Sequence, residues 1–240
     1  MGQFQVGPIG LLPPSAASQG IFQPEFGSGY QLVEGEHVLE DEALKKAARQ
    51  LLTLRNPTLF PGPMLLWGWN DEAMHKADLL MELYKVVPGI NIIPMPDYRP
   101  IYPKIDPEAV INPCHPNLTI QHNKIHTCIL IGVHCHFANI TLKMIRANTN
   151  CYTMAFCQYD GHEDALISVR DVDGAKIEKF TQVVKDVLKS GEVEPWGLTA
   201  SGKEELEEIA AGKAERAKTT KENVSLFMGD LEQGLDENSE

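Results

Sequence analysis

Apolar positions recur along this chain in two rhythms. Between Glu40 and Leu54, the residues Leu44, Ala47, Ala48, Leu51 and Leu52 fall at three- and four-residue intervals. That spacing predicts a helix with one buried face. Asn56-Pro57 ends it, because a proline pushes the residue before it out of the helical region. Beyond this point, short continuous apolar runs alternate with amphipathic stretches of helix length. Met64-Leu65-Leu66-Trp67 is the first run and predicts a buried strand. Asn70 is placed to cap the next helix, with Asp71 and Glu72 in the first turn, where carboxylates complement the helix dipole. Ala73, Ala77, Leu80, Met81 and Tyr84 mark its buried face, and Pro88-Gly89 stops it. Ile90–Ile93, Cys128–Ile131 and Tyr152–Phe156 predict three further strands. A helix is expected over Ala138–Arg146, with Leu142 and Ile145 inward. Asp173 caps a last helix that ends near Lys189, and Gly191 supplies its C-terminal stop.

Strands that are apolar on both faces, alternating with helices, predict a parallel sheet covered on both sides. Right-handed crossovers then give an open, Rossmann-like α/β sheet with helices on both faces. This domain is expected over residues 39–192. Residues 1–38 read as an extended arm. Its first 30 residues contain six glycines and four prolines, which disfavour helix and sheet. Yet Ile9, Leu11, Leu12, Ile21, Phe22, Phe26 and Tyr30 gain little from solvent, so the arm is expected to dock on this domain or on a neighbouring subunit. Residues 193–240 read as an acidic helical tail. From Lys203 onward it holds 11 acidic and 5 basic residues, and Leu226, Phe227, Met228 and Leu231 form a small apolar patch. Residues 94–126 break the rhythm with seven prolines. A connection of that length is usually functional or an interface.

Charge narrows the function classes. The net charge of −12 argues against nucleic acid, since phosphate binding needs a basic surface. No apolar run approaches the ~20 residues needed to span a bilayer. No Lys or Arg occurs before Lys45, whereas targeting peptides need positive charge. The five cysteines are odd in number and lack Cys-x-x-Cys spacing. Reduced thiols in the cytoplasm are therefore expected.

In an open parallel sheet, ligands bind beyond the carboxyl ends of the strands. Four segments are expected to converge there: Gly68-Trp69-Asn70, Pro94 to Arg99, Gly132 to His136, and Gln158 to Glu163. One of Trp67 and Trp69 is expected in the core and the other at the cleft. Gly132 permits a tight turn and close backbone approach to a ligand. His134, Cys135 and His136 follow, with Asn139 near a helix start whose amides favour an anion such as a diphosphate. Metal binding is the competing reading. His134, Cys135, His136, Cys157 and His162 are candidate ligands at the rim, and Cys114, His115, His122 and His126 lie on the long loop. Adjacent residues on an extended segment point opposite ways. That groups His134 with His136 and leaves Cys135 out, and the spacing matches no zinc module, so no metal is expected. Cys128 and Cys151 lie in strands, where cysteine is a small buried apolar group. The Gly161-His162-Glu163-Asp164 turn offers a general-base pairing, or simply a solvated turn in which Asp164 acts as a cap. The second reading is preferred. Arg99 and Arg170 are able to bind a carboxylate or phosphate, but surface ion pairs suffice to explain them. No nucleophile elbow, phosphate loop or HExxH motif is present.

The stretch TCILIGVHCHFANITLKMIRANTNCYTMAFCQYDGHEDA, residues 127–165, resembles the ε subunit of archaeal acetyl-CoA decarbonylase/synthase. That family is also called the carbon monoxide dehydrogenase β-subunit family. Its pattern is an apolar strand ending in Gly-x-His, often with Cys next, then a small residue opening a helix. Here these are Gly132, His134, Cys135 and Ala138. A second apolar strand and an Asp-bearing turn follow, matched by Asp164. PMLLWGWND is similar to the family's first strand and its glycine turn. The resemblance implies an accessory, non-catalytic subunit of a complex of one-carbon and carbon monoxide metabolism, without its own metal cluster. It also implies partners among the other subunits, with self-association left open. A similar fold in thiamine-diphosphate enzymes holds FAD or ADP, so FAD is the cofactor to consider. The expected cofactor-binding residues are Gly68, Gly132, His134, His136, Asn139 and Asp164. Two alternatives stand beside this reading: a free-standing nucleotide- or flavin-binding enzyme, and a metal-dependent enzyme using histidine and cysteine.

Overall fold

Strands that are apolar on both faces need cover on both faces, and the chain supplies it. In the computed structural model, residues 23–96, 108–112 and 114–212 are described. The strands are β1 (Tyr30–Val33), β2 (Glu36–Leu39), β3 (Thr58–Pro61), β4 (Asn91–Ile92), β5 (Thr127–Ile131), β6 (Tyr152–Phe156) and β7 (Ile167–Val169). They lie in the order β2-β1-β7-β6-β5-β3-β4. Those from β3 to β7 are parallel, and β1 and β2 add an antiparallel hairpin at the β7 edge. The helices are α1 (Glu40–Thr53), α2 (Pro63–Leu66), α3 (Asp71–Val86), α4 (Pro116–His122), α5 (Cys135–Asn148) and α6 (Gly174–Ser190).

Side chains alternate across each strand, and the core divides accordingly. Leu59, Ile129, Ile131, Met154 and Phe156 pack with the buried faces of α1, α3 and α6. Phe60, Cys128, Leu130 and Ala155 pack on the other side with Ile120 of α4 and Leu142 and Ile145 of α5. The predicted Rossmann-like α/β sheet with helices on both faces is therefore the fold. The caps are as expected. Asn70 accepts from Ala73 N at 2.8 Å, Asp173 accepts from Lys176 N at 2.8 Å, and Gly191 closes α6 with φ of 65°.

Four expectations are corrected. Met64–Trp67 is not a strand. The strand is β3, one step earlier, and Pro63 opens the short helix α2, because proline suits a first helical position. A four-residue apolar run does not by itself distinguish strand from helix. On α3, Met81 and Tyr84 are exposed, and Lys76 and Leu83 are buried instead. Neither Trp67 nor Trp69 is in the core. Part of the expected arm belongs to the sheet: Leu32 and Val33 of β1 pair with Ser168 and Ile167 of β7.

The described parts of the 94–126 connection serve packing. Met95 and Ile111 are fully buried, and α4 covers one face of the sheet. Residues 1–22, with Ile9, Leu11, Leu12, Ile21 and Phe22, lie outside the described residues, as do Arg99 and the 226–231 patch. Two units are distinguished, Met1–Gly197 and Leu198–Glu240. The described part of the second contains a helix over 200–212, on which Glu204, Glu207 and Glu208 are exposed.

Candidate functional site

The parallel strands run in the order β4-β3-β5-β6-β7. The chain therefore builds outward in opposite directions from the β3/β5 boundary, and a topological switch point of this kind opens a crevice at the carboxyl ends of the strands. Two glycines make the crevice here. Gly132 follows β5 with φ of 66°, and a Cβ on it would lie 2.5 Å from Leu65 Cγ. Gly62 follows β3, and its Cβ would lie 2.3 Å from the Gly132 carbonyl oxygen. The backbones touch instead: Gly62 N donates to Ile131 O at 2.8 Å, and Met64 N donates to Gly132 O at 3.1 Å. The anticipated glycine, Gly68, is exposed in the loop after α2.

A cavity of about 470 Å³ lies above this crossing. Ile131, Val133, Phe156, Val172 and Ile177 are among its apolar lining; Trp69, Lys76, His134, Cys135, Cys157 and Gln158 are among its polar groups. Trp69 is largely exposed, but its indole N–H donates to Pro63 O at 2.9 Å. Lys76 is 7% exposed. Its ammonium donates to Glu72 Oε1 at 2.6 Å and to Gln158 Oε1 at 3.1 Å.

Beside this cavity, helix α5 starts at residue 135 rather than at 138. Cys135 is therefore helical, and the extended-strand argument that set it apart from its neighbours does not apply. Its Sγ lies 3.7 Å from Sγ of Cys157, which follows β6. Burial pushes the Cys135 thiol up to about 11, and Cys157 and Asp160 act in the same direction. His162 completes a cluster with these thiols, its ligand atom and theirs all lying within 4.8 Å of one another. His162 is 2% exposed. Its Nδ1 bonds Asn139 Oδ1 at 2.7 Å, and its backbone N donates to Ser168 Oγ at 2.7 Å. Burial lowers its pKa, against the opposing fields of Asp160 and Asp164.

Of the expected residues, Gly132 and His134 line the cavity. His136 is exposed and packs on Phe137 at 4.3 Å between ring centroids. Asn139 meets His162, and Asp164 pairs with Lys143 and Arg146 of α5. None of these three lines the cavity, nor does Gly68. Asp164 thus works as an ion-pair partner of α5 rather than as the cap of a solvated turn, and His162 of the same turn is buried. Arg170 donates to Pro24 O and Tyr159 O and lies 5.6 Å over the Phe26 ring. On the long loop, His122 meets Glu108 at 2.8 Å. Sequence reasoning missed Gly62, Lys76 and the pairing of Cys135 with Cys157, whereas Gln158 opens one of the segments expected at the cleft. The Pro61-Gly62-Pro63 punctuation was a usable signal for Gly62. Lys76, one of two lysines on α3, carried none.

A comparison with curated proteins finds no match for the chain. The family model described as CO dehydrogenase beta subunit/acetyl-CoA synthase epsilon subunit matches residues 23–187.

Proposed function

The chain belongs to the CO dehydrogenase beta subunit/acetyl-CoA synthase epsilon subunit family, and we propose that it acts as an accessory subunit in a cytoplasmic complex of one-carbon and carbon monoxide metabolism, holding a nucleotide or flavin in its cleft. The observation that carries this reading is an apolar cavity flanked by an apolar rim. Trp67, Trp69, Met74 and Met81 are 53%, 71%, 49% and 43% exposed. A Cβ on Gly68, between the two tryptophans, would lie 3.2 Å from Met74 Cγ, and Met81 stands two turns further along α3. Single exposed apolar side chains are ordinary at a surface, but several near one cavity favour an interaction site. Among the described residues, no helix is long and apolar enough to cross a membrane.

The cavity falls within the usual size range of small-molecule sites, about 300–1,000 Å³. Its residues suit the adenosine diphosphate part of FAD. Gly132 allows close backbone approach, the start of α5 at His134 and Cys135 offers amide hydrogens to a diphosphate, and Lys76 supplies a cation. Ile131, Val133 and Val172 provide an apolar wall. A bound flavin would supply electron transfer; the chain's part is to bind it and exclude water. Gly68, His136, Asn139 and Asp164 are given no contact with it.

Two measurements test this reading. A tagged chain recovered from its native cell extract is expected to bring larger subunits with it, and calorimetry is expected to show saturable binding of ADP or FAD. A chain that elutes alone and binds neither nucleotide overturns it. Residues 23–33 are built into the fold through Pro24 and β1, so the informative truncation removes residues 1–22. It is expected to preserve the melting temperature while weakening assembly.

A further inference from the structure

We infer that Cys135, Cys157 and His162 form an open Zn²⁺ site at the rim of the cavity. The site does not depend on whether the cleft also takes a nucleotide. The first argument is geometric. Zinc–thiolate bonds of about 2.3 Å at a tetrahedral angle place two sulfurs about 3.8 Å apart. Sγ of Cys135 and Sγ of Cys157 are 3.7 Å apart, and the His162 ligand atom lies within 4.8 Å of both.

The second argument is the support behind the histidine. Metal-bound imidazoles commonly donate their second ring N–H to an oxygen, which settles the tautomer and the ring orientation. His162 Nδ1 meets Asn139 Oδ1 at 2.7 Å. With that nitrogen as donor, the lone pair lies on Nε2. Ser168 anchors the backbone of the same residue. Asn139 thus has a positioning role in place of the phosphate contact expected from its location.

The third argument is charge. Two thiolates neutralise the charge of Zn²⁺, so the donor set suits a divalent cation. Binding is balanced by release of two thiol protons to solvent: two Cys–SH, one neutral imidazole and one Zn²⁺ give the Cys₂His complex and two H⁺. Cys135 and Cys157 line the cavity, whereas His162 is buried behind them. The fourth position therefore faces the cavity and is available to water. Two cysteines, one histidine and an open position form a donor set used where zinc acts as a Lewis acid.

The test uses the full chain, purified under anaerobic conditions, stripped with a chelator and titrated with Co²⁺ and then Zn²⁺. The expected result is one Co²⁺ per chain, with a thiolate-to-cobalt charge-transfer band and the visible bands of tetrahedral cobalt. Zn²⁺ is expected to displace it, and zinc loading to release two protons per chain. Cys135→Ser is expected to abolish the charge-transfer band with the circular dichroism intact, while Cys114→Ser leaves binding unchanged. Asn139→Ala, the milder variant, is expected to weaken zinc by about 10–100-fold. The site is overturned if Cys135→Ser or Asn139→Ala binds as the parent does. It is also overturned if cobalt shows only the faint spectrum of the aquo ion, or if Cys135 and Cys157 are found joined as a disulfide in the anaerobic protein. Nucleotide binding is measured separately, so failure here leaves the proposal for the cleft standing or falling by itself.

Discussion

The adjacent strands β5 and β6 are bracketed by two cysteine pairs. At their amino ends, Sγ of Cys128 and Sγ of Cys151 are 3.7 Å apart; at their carboxyl ends, Cys135 and Cys157 show the same separation. Distance alone does not tell the pairs apart, but their surroundings do. Cys128 and Cys151 lie among Leu130, Ile145 and Ala155 in the core. Contact with Cys151 and burial both push the Cys128 thiol well up, and it behaves as a small apolar side chain. The pair at the carboxyl ends opens onto a cavity and has His162 as a third member. Parallel strands all point their carboxyl ends to one side, and the connections there must splay to reach opposite faces. The amino ends are closed by packing. One sheet thus buries one pair in the core and opens the other onto a cavity.

The largest expected effects come from removing what opens the carboxyl end. Gly132→Val places a β-branched side chain at positive φ and into Leu65. Backbone strain and overpacking together are expected to cost roughly 2–5 kcal/mol, read as a large fall in melting temperature. Gly62→Ala meets backbone rather than a yielding side chain and is expected to cost roughly 1–3 kcal/mol. Variants that melt as the parent does would show that the crossing of β3 and β5 is not tightly built.

The contrast between the pairs predicts a double dissociation. Cys128→Ser buries a hydroxyl in the core and is expected to destabilise by about 1–3 kcal/mol, without changing cobalt or nucleotide binding. In the metal-free chain, Cys135→Ser is at a partly exposed position and is expected to cost under about 1 kcal/mol. Denaturant unfolding checks both. Equal losses for the two variants would erase the distinction.

The smallest effect provides a baseline that belongs to neither pair. Burial tends to raise the Glu40 carboxyl, but Lys176 and Lys179 at 2.8 and 2.6 Å outweigh it and hold the pKa below its ordinary value. A depressed carboxylate adds stability above its unfolded pKa and loses it as pH falls through the folded one. Glu40→Gln is therefore expected to lower stability by under about 1 kcal/mol at neutral pH after screening, and the difference should vanish in acid. A gap that persists in acid would assign Glu40 a packing role instead.

The repeating elements were legible in the sequence because local patterns encode them. α1, α3, α6, β5 and β6 emerged from periodicity, caps and continuous apolar runs. Where two local patterns competed, the reading slipped by one element. Thr58–Pro61 and Met64–Trp67 are both short apolar runs around Pro61-Gly62-Pro63, and only one has strand neighbours. β1, β2 and β7 are three or four residues long, and their pairing is long-range.

The sequence by itself determined an α/β sheet covered on both faces, its capped helices, and a glycine turn followed by histidine and cysteine after β5. These follow from side-chain burial and backbone preferences within a few residues of chain. Only the tertiary structure decided which of the five cysteines meet, and that His162 rather than His136 joins Cys135. It also decided that Gly62, and not Gly68, faces Gly132. These outcomes depend on which strands become neighbours and on where a helix begins to turn. A start at residue 135 in place of 138 is enough to swing Cys135 toward Cys157, a contact across 22 residues that no local pattern encodes.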